Sequence, residues 1–285
     1  MELVFRPPSA ALSAYISTFY LYRNDDAVVA GIERADVGQI RFMLKGSGAM
    51  TFADGHSEPS CAVMINGPGT AATAYRVEGP FHCFGAALRP IGWCALVGLP
   101  AHTRADHVTD GAEVFGPEAL GLLETFRRTE TIAEMMALAE PFLLRHVRPI
   151  PPDHVQMAEI VQAWLREGAT DVHALFDALP WSERHATRLI NHYFGSGPKK
   201  LVRKWRALRA AARLLEGDDP HDVAEPFYDQ PHMIREVREF TGHTPRTLPG
   251  HADPVMVATL RHNVFAEQAA LDLVRAASTR AAAAE

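Results

Sequence analysis

The apolar residues of this chain repeat with two different periods, and after the proline-rich residues 149–152 only the helical period is found. Before that stretch, Ile40, Phe42 and Leu44 alternate with residues whose side chains would point to the opposite face of a strand. This spacing is typical of a half-buried strand. After it, residues 157–165 carry apolar side chains three and four positions apart, which is typical of an amphipathic helix. The sequence therefore predicts a β-rich part followed by an all-helical part.

The predicted fold class is α+β, with a small antiparallel β barrel or sandwich and its helices first, and an all-α region second. A length of 285 residues favours two domains. The predicted boundaries are residues 1–148 for the β-rich domain, 149–153 for a proline-rich linker, 154–250 for the helical domain and 251–285 for a C-terminal helix and tail.

Turn signals divide the first half into strands and helices. Asp54-Gly55 is a hairpin signal, and Glu78-Gly79-Pro80 is predicted to join two strands, the second at residues 81–88. Residues 91–100 predict a short helix that is closed by glycine and proline. Helical spacing then extends over residues 117–147.

The helical half contains the same pattern twice: a short helix, a tight turn and a helix with a polar face. This order is typical of a helix-turn-helix unit, in which the second helix enters the DNA major groove. The predicted recognition helices begin near Ser182, a good N-cap, and near Gln230. Pro198 opens a helix of roughly 18 residues between the units, hence about 27 Å long.

Charge is distributed unevenly along the chain. The whole sequence has a formal net charge of −6, yet residues 182–213 contain nine basic side chains and one acidic side chain. A positive stretch in an acidic protein indicates a surface for a polyanion. A solvated helix face is the competing interpretation of such a run.

Side-chain chemistry suggests how the two units would contact DNA. Arginine pairs with guanine, asparagine or glutamine with adenine, and threonine with the thymine methyl group. The candidates for base contacts are Arg184, Arg188, Arg235, Asn191, Gln230 and Thr187. The candidates for phosphate contacts are Ser182, Lys199, Lys200, Arg203 and Lys204.

Residues 228–248, YDQPHMIREVREFTGHTPRTL, and residues 181–215 resemble the AraC/XylS family of transcriptional regulators. The resemblance covers residues 155–249 and implies a DNA-binding domain with two helix-turn-helix units. By position in the family pattern, the base-reading side chains would be Arg184, His185, Thr187, Arg188, Asn191, Gln230, His232, Met233 and Arg235. The family's turns usually carry glycine, whereas this chain has Pro180 and Pro226, so both units must turn differently.

The β-rich part is similar to the cupin-like sensor domain that precedes some AraC-type modules. The similarity lies in Asn66-Gly67-Pro68, in residues 75–77 and in residues 84–90 with the short helix after them. It implies effector binding or dimerisation. The candidate effector-binding residues are Arg41, Arg76, His82 and Arg89.

No metal ion, cofactor or catalytic group is predicted. A metal-binding cupin needs clustered ligands, whereas His56 and His82 look like lone histidines. Cys83 and Cys94 are interpreted as small buried hydrophobic residues, with a redox pair as the alternative. Sparse cysteines, together with the lack of a targeting or membrane-spanning segment, predict a cytoplasmic protein.

The predicted function is a sequence-specific, DNA-binding transcriptional regulator that an effector modulates. The predicted partners are double-stranded DNA and a small-molecule effector, with RNA polymerase and a second copy of the chain as further candidates. The alternatives are an interaction or anti-regulator protein with weak DNA binding, and a cupin enzyme fused to a DNA-binding module. The tail is predicted to form a helix over residues 254–277, against the sensor domain or at a dimer contact.

Overall fold

The computed structural model describes residues 1–168 and 170–261. Within these residues the N-terminal part forms one antiparallel sheet of eight strands. The strands are β1 (Glu2–Arg6), β2 (Ile16–Asn24), β3 (Val28–Glu33), β4 (Gln39–Thr51), β5 (Ser57–Pro59), β6 (Val63–Asn66), β7 (Thr73–Leu88) and β8 (Val108–Asp110). Their order is β1-β2-β7-β4-β6-β8, with β3 paired to β7 and β5 paired to β4.

Strand β7 corrects the prediction of two strands around residues 78–80, because it continues through them. It pairs with β4 along nearly its whole length, while its other edge pairs first with β3 and then with β2. The edge partner changes at Gly79, whose N–H donates to the Ala27 carbonyl. A Cβ on Gly79 would lie 2.0 Å from the Asp26 carbonyl oxygen, so glycine permits this close approach.

Alternation along the strands gives the sheet two buried faces. Phe19 and Leu21 of β2 belong to one apolar cluster, which the helices cover. Tyr20 and Tyr22 belong to a second cluster on the opposite face. The second face surrounds the cavity described below.

Short helices after β7 cover the first face, as the sequence predicts. They are α1 (Pro90–Gly92), a π-helical turn (Trp93–Val97), a 3-10 turn (Ala101–Thr103), α2 (Gly111–Phe115), α3 (Glu118–Phe126) and α4 (Ile132–His146). Gly98 ends the π-helical turn in the left-handed conformation, at φ +76°. The predicted helical stretch 117–147 is two helices, and a capping box at Thr131 and Glu134 starts the second.

The remaining elements are helical, which confirms the α+β fold class. They are α5 (Pro152–Arg166), α6 (Val172–Asp177), α7 (Glu183–Phe194), α8 (Pro198–Glu216), α9 (Pro220–Ala224), α10 (Gln230–Thr241) and α11 (Leu248–His251), followed by helical residues 254–261. In this described part of the chain, no helix is long and apolar enough to cross a membrane. The rest of the predicted tail helix, including Val264, Leu271 and Val274, lies outside the described residues.

Local signals set the ends of these helices. Ser182 caps α7 by accepting from the His185 N–H, as predicted. Asp171 caps α6 and Asp229 caps α10 in the same way, with a side-chain oxygen that accepts from N–H groups of the first turn.

The apolar core continues past the proline-rich residues 149–152. Met157 and Leu165 of α5 and Leu201 of α8 belong to the same cluster as Trp93. The second helix-turn-helix unit belongs to a separate cluster that includes Phe240. The division into domains at residues 148–154 stays a prediction.

Candidate nucleic-acid interface and ligand pocket

Helix α7 presents a polar face to solvent at its N-terminal half. Arg184 and Arg188 are exposed, while His185, Thr187 and Asn191 are half-buried. The ring of His185 stacks on Trp181, just before the helix, with centroids 5.7 Å apart. These five side chains therefore lie on the helix face that the sequence predicts for base contacts.

Helix α10 differs from the prediction at Met233. This candidate base reader is fully buried with Val237 and Phe240, whereas the neighbouring Ile234 is 37% exposed. Met233 therefore lies in the core and cannot reach a base edge. Gln230 and Arg235 are exposed, as a base-reading role requires.

The candidate phosphate contacts on α8 separate into two pairs. Lys199 is exposed and Lys200 is half-buried in the first turn of the helix. Arg203 instead forms ion pairs with two glutamates of α10. Lys204 is 7% exposed, and its ammonium donates to the carbonyls of Asp36 and Gly69, at 2.8 and 2.9 Å. The structure thus places Lys204 at an internal contact and not on the surface.

A buried carboxylate joins α10 to the long helix. Glu236 is fully buried, and its oxygens lie 2.7 Å from Arg203 Nε and 2.7 Å from Arg206 Nη2. His232 Nε2 lies 3.0 Å from the same carboxylate. Desolvating a carboxylate is costly unless cations and hydrogen bonds compensate it. Sequence reasoning missed Glu236, because its partners on α8 are 30 or more residues away.

The β-rich part contacts both helix-turn-helix units at the C-terminal ends of their recognition helices. Gly195, which ends α7, lies against Pro68. At the end of α10, the N–H groups of Ala35 and Ala72 donate to the carbonyls of Phe240 and Glu239, both at 2.8 Å. The capped N-terminal ends of α7 and α10 remain exposed.

The two units are joined by α8, which has 19 residues. Its length is therefore about 28 Å, slightly less than the roughly 34 Å of one turn of B-DNA. The turn between α6 and α7 begins at Ala178, and the turn between α9 and α10 begins at Glu225. Both residues have right-handed helical backbone angles. These turns, which contain Pro180 and Pro226, therefore start without the left-handed residue that a glycine would supply.

A cavity of about 100 Å³ lies on the second face of the sheet. Most of its lining is apolar. That lining includes Leu3, Phe5, Met43, Met64, Val77 and Phe81. Asp253, Val255, Met256 and Thr259, from the segment after α11, complete its wall.

One end of the cavity is polar and internally paired. Arg41 Nη2 lies 2.5 Å from Glu33, and Arg41 Nε donates to the Tyr20 hydroxyl at 2.9 Å. Burial alone would lower the pKa of Arg41, but Glu33 together with Tyr20 and Cys83 outweighs burial and raises that pKa above its ordinary value. A second buried ion pair, Arg34–Asp36 at 3.0 Å, lies beside it.

Of the four candidate effector-binding residues, Arg41 lines this cavity. Arg76 is exposed and pairs with Glu78. His82 is buried, with Nε2 2.8 Å from Asp25, and Arg89 lines a smaller cavity beside α1. The sequence missed the contribution of residues 253–259, although it predicted a helix there.

Cys83 and Cys94 lie in different apolar clusters, on opposite faces of the sheet. Burial raises the pKa of each thiol to about 12. Both side chains therefore stay protonated at neutral pH, as small buried hydrophobic residues do.

The interpretation of His56 as a lone histidine is corrected by the structure. His56, Glu58 and His107 place one potential ligand atom each within 4.8 Å of one another. This group lies at the β4–β5 hairpin and at the start of β8. His107 is 49 or more residues away from Glu58 and His56 along the chain, so their proximity depends on the sheet topology.

Comparison with known proteins gives one family match, in the β-rich part. Residues 5–110 match a family described as "Domain of unknown function (DUF6597)". No curated protein matches the sequence significantly.

A search of solved structures gives distant matches. ToxT from Vibrio cholerae bound to (E)-4-(8-methylnaphthalen-1-yl)but-3-enoic acid is 10% identical, with a TM-score of 0.48 over 83% of this chain and 97% of that chain. ToxT from the same organism with a bound unsaturated fatty acid is 11% identical, with a TM-score of 0.46 and coverages of 82% and 96%. The AraC-like transcriptional activator CuxR is 14% identical, with a TM-score of 0.28 and coverages of 79% and 91%.

Proposed function

We propose that this protein is a sequence-specific, DNA-binding transcriptional regulator whose affinity for DNA depends on a small molecule in the β-sheet cavity. One observation carries the proposal. Two helix-turn-helix units on one long helix expose the N-terminal ends of their recognition helices, and the β-rich part contacts the opposite ends.

The N-terminal residues of a recognition helix are those that contact base edges. On α7, Arg184 and Arg188 have the exposure and the donor geometry for guanine. Ser182, Lys199 and Lys200 flank this face and would contact phosphate. The first unit is therefore the main base reader in our proposal.

The cavity favours a neutral ligand with a large apolar part. At its polar end Arg41 pairs with Glu33 and Arg34 pairs with Asp36, and Asp253 also lines the cavity. Both arginines already have a carboxylate partner, so an anionic ligand would add an uncompensated charge to a buried site, which is unfavourable. A hydroxyl or carbonyl group can instead hydrogen-bond to this network without breaking a charge pair.

Residues 253–260 connect the ligand cavity to the second helix-turn-helix unit. Met256 lines the cavity, and Met256 and Leu260 also pack in the cluster around Phe240 of α10. A ligand that displaces Met256 would therefore perturb the packing of the second unit.

Fluorescence anisotropy of the full chain tests the proposal, on DNA from upstream of its gene and on random DNA, over a salt series. We expect binding at least about 10³-fold tighter to the cognate DNA, and weaker binding to both DNAs as salt rises. Arg184→Ala should reduce the preference, while Arg76→Ala, an exposed arginine of the sheet, should leave it unchanged. Equal affinity for both DNAs, with and without extracts of apolar small molecules, would contradict the proposal.

A second function for α10 is favoured by a specific observation. Tyr228, just before the helix, is 92% exposed, and Ile234 on its first turns is 37% exposed. Exposed apolar side chains of this size are characteristic of protein contacts. We propose that the second unit also contacts a protein partner, for which RNA polymerase is the candidate. Tyr228→Ala should then reduce transcription of a reporter gene without changing DNA affinity, and a parallel loss of DNA affinity would contradict this role.

A further inference from the structure

A group of metal-ligating side chains lies apart from both the cavity wall and the recognition helices. His56 is in the turn between β4 and β5, Glu58 is on β5, and His107 directly precedes β8. The ring of His56 stacks on Phe52 with centroids 4.5 Å apart, and the His56 and His107 rings are 5.0 Å apart. The three side chains converge on one point although they come from separate segments.

The hydrogen bonds of His56 leave one ring nitrogen available as a ligand. Nδ1 is bonded to the Asp54 carboxylate, which places the N–H on Nδ1 in the neutral ring. Nε2 is buried, has no hydrogen-bond partner among the described residues, and lies 3.8 Å from Glu58 Oε1. A carboxylate that orients a histidine in this way is the usual outer partner of a metal-binding imidazole.

Glu58 is held in place for the same purpose. One of its oxygens accepts from the Val108 N–H, and the other lies 2.7 Å from His107 Nδ1. The carboxylate is therefore positioned between the two imidazoles.

The distances are close to those of a metal centre. Ligand atoms of a tetrahedral zinc ion, with bonds of about 2.0–2.1 Å, lie about 3.3–3.4 Å apart. The observed separations from Glu58 Oε1 are 3.8 Å to His56 and 2.7 Å to His107. Shifts of roughly 0.5 Å would satisfy both, and the His107 side chain, 46% exposed, has room to move.

We propose that His56, Glu58 and His107 bind a divalent transition-metal ion, with Zn²⁺ as the reference ion and Asp54 as a positioning residue. Two imidazoles and one carboxylate are a borderline donor set that suits Zn²⁺ and its neighbours better than Mg²⁺ or Ca²⁺. The remaining coordination positions face solvent at His107 and would hold water.

The site also has a structural consequence. The Gly67 N–H donates to the His107 carbonyl at 2.9 Å, and Asp106 accepts from the Thr70 N–H at 2.7 Å. Residues 67–70 in turn provide the Gly69 carbonyl that binds Lys204 of α8. A bound ion would therefore tie the β4–β5 hairpin to the loop that contacts the long helix.

Equilibrium dialysis of the chelator-treated full chain against Zn²⁺ tests the proposal, with calorimetry for the affinity. We expect one equivalent of tightly bound ion and a higher thermal unfolding midpoint in its presence. Glu58→Gln and His107→Gln should abolish this binding. Asp54→Asn should keep the stoichiometry and weaken the affinity by about 10–100-fold. His221→Gln, a fully solvated histidine elsewhere, should bind like the wild type.

A second readout separates lost binding from lost folding. Co²⁺ bound to this donor set should give visible absorption bands in the wild type, and Glu58→Gln should remove them. Circular dichroism in metal-free buffer should be the same for both proteins, because His107 and Glu58 are partly exposed. Absence of saturable binding in the wild type overturns the proposal. Unchanged binding in His107→Gln overturns it equally, since the ion would then bind other histidines.

Discussion

The two recognition helices arise from the same local pattern but have different surroundings. Helix α7 keeps Arg184 and Arg188 exposed, and its polar face is open at the N-terminal end. Helix α10 buries Met233 and Glu236, and it holds Arg203 of α8 in ion pairs. The comparison shows that a helix-turn-helix pattern fixes the local shape, whereas the neighbouring elements decide which side chains of the helix are exposed.

The largest expected effect concerns the buried carboxylate of α10. Glu236→Gln should lower the free energy of unfolding by about 3–5 kcal/mol, because Arg203 and Arg206 lose their charge partner in a desolvated site. Urea denaturation measures this change. Glu239→Gln is the matched control, since the Glu239 carboxylate is half-exposed and also pairs with Arg203. Equal losses in the two variants would show that Glu236 is not the center of the contact between α8 and α10.

The next effect compares the two helices as base readers. Arg188→Ala should weaken specific binding by about 1–3 kcal/mol and relax the preference at one base position. Arg235→Ala on α10 should cost less, because Met233 of that helix is buried and His232 is paired with Glu236, which leaves fewer candidate base readers beside Arg235. Anisotropy titrations on cognate and random DNA measure both. A larger loss of specificity for Arg235→Ala would reverse the assignment of the main reader.

The third effect compares two lysines of α8, of which Lys204 is buried and Lys200 is half-buried. Lys204→Met should destabilise the folded protein by about 1.5–3 kcal/mol, since the charged hydrogen bonds to Asp36 and Gly69 are lost. Lys200→Met should leave stability unchanged, weaken binding to all DNA sequences and reduce the salt slope by about one. If Lys204→Met altered the salt slope and left stability intact, its burial at the sheet would be contradicted.

The smallest effect concerns the thiols on the two faces of the sheet. Cys61 is partly exposed, whereas burial raises the pKa of both Cys83 and Cys94 to about 12. A thiol reagent at pH 8 should therefore modify Cys61 first, and it should reach the other two after unfolding. Rapid labelling of Cys83 in the native protein would show that the cavity is open to solvent.

Local features were predictable from the sequence. Ser182 is a helix cap because a serine oxygen satisfies a free N–H, and this depends on a few neighbouring residues. Pro198 at the start of α8 and Gly98 after the π-helical turn are of the same kind. The α+β class followed from the two apolar periods.

Long-range features were not predictable in the same way. Met233 and Ile234 are adjacent apolar residues, and only Met233 is buried. Which of the two faces the core is set by the packing of α10 against α8, and the sequence around them does not show it. Lys204 belongs to a basic run, yet the carbonyls that bind it come from residues 36 and 69. His56 and His107 meet because β5 and β8 flank the same end of the sheet, which requires the topology to be known.

Selection of binding sites from a randomised pool of double-stranded DNA, followed by sequencing, tests the central claim most directly. The account predicts a defined motif for the wild-type protein, with at least one position that becomes degenerate in Arg188→Ala and stays fixed in Arg76→Ala. A wild-type pool without any enriched sequence, from folded protein and at low salt, would contradict the assignment of α7 as a reader of DNA sequence.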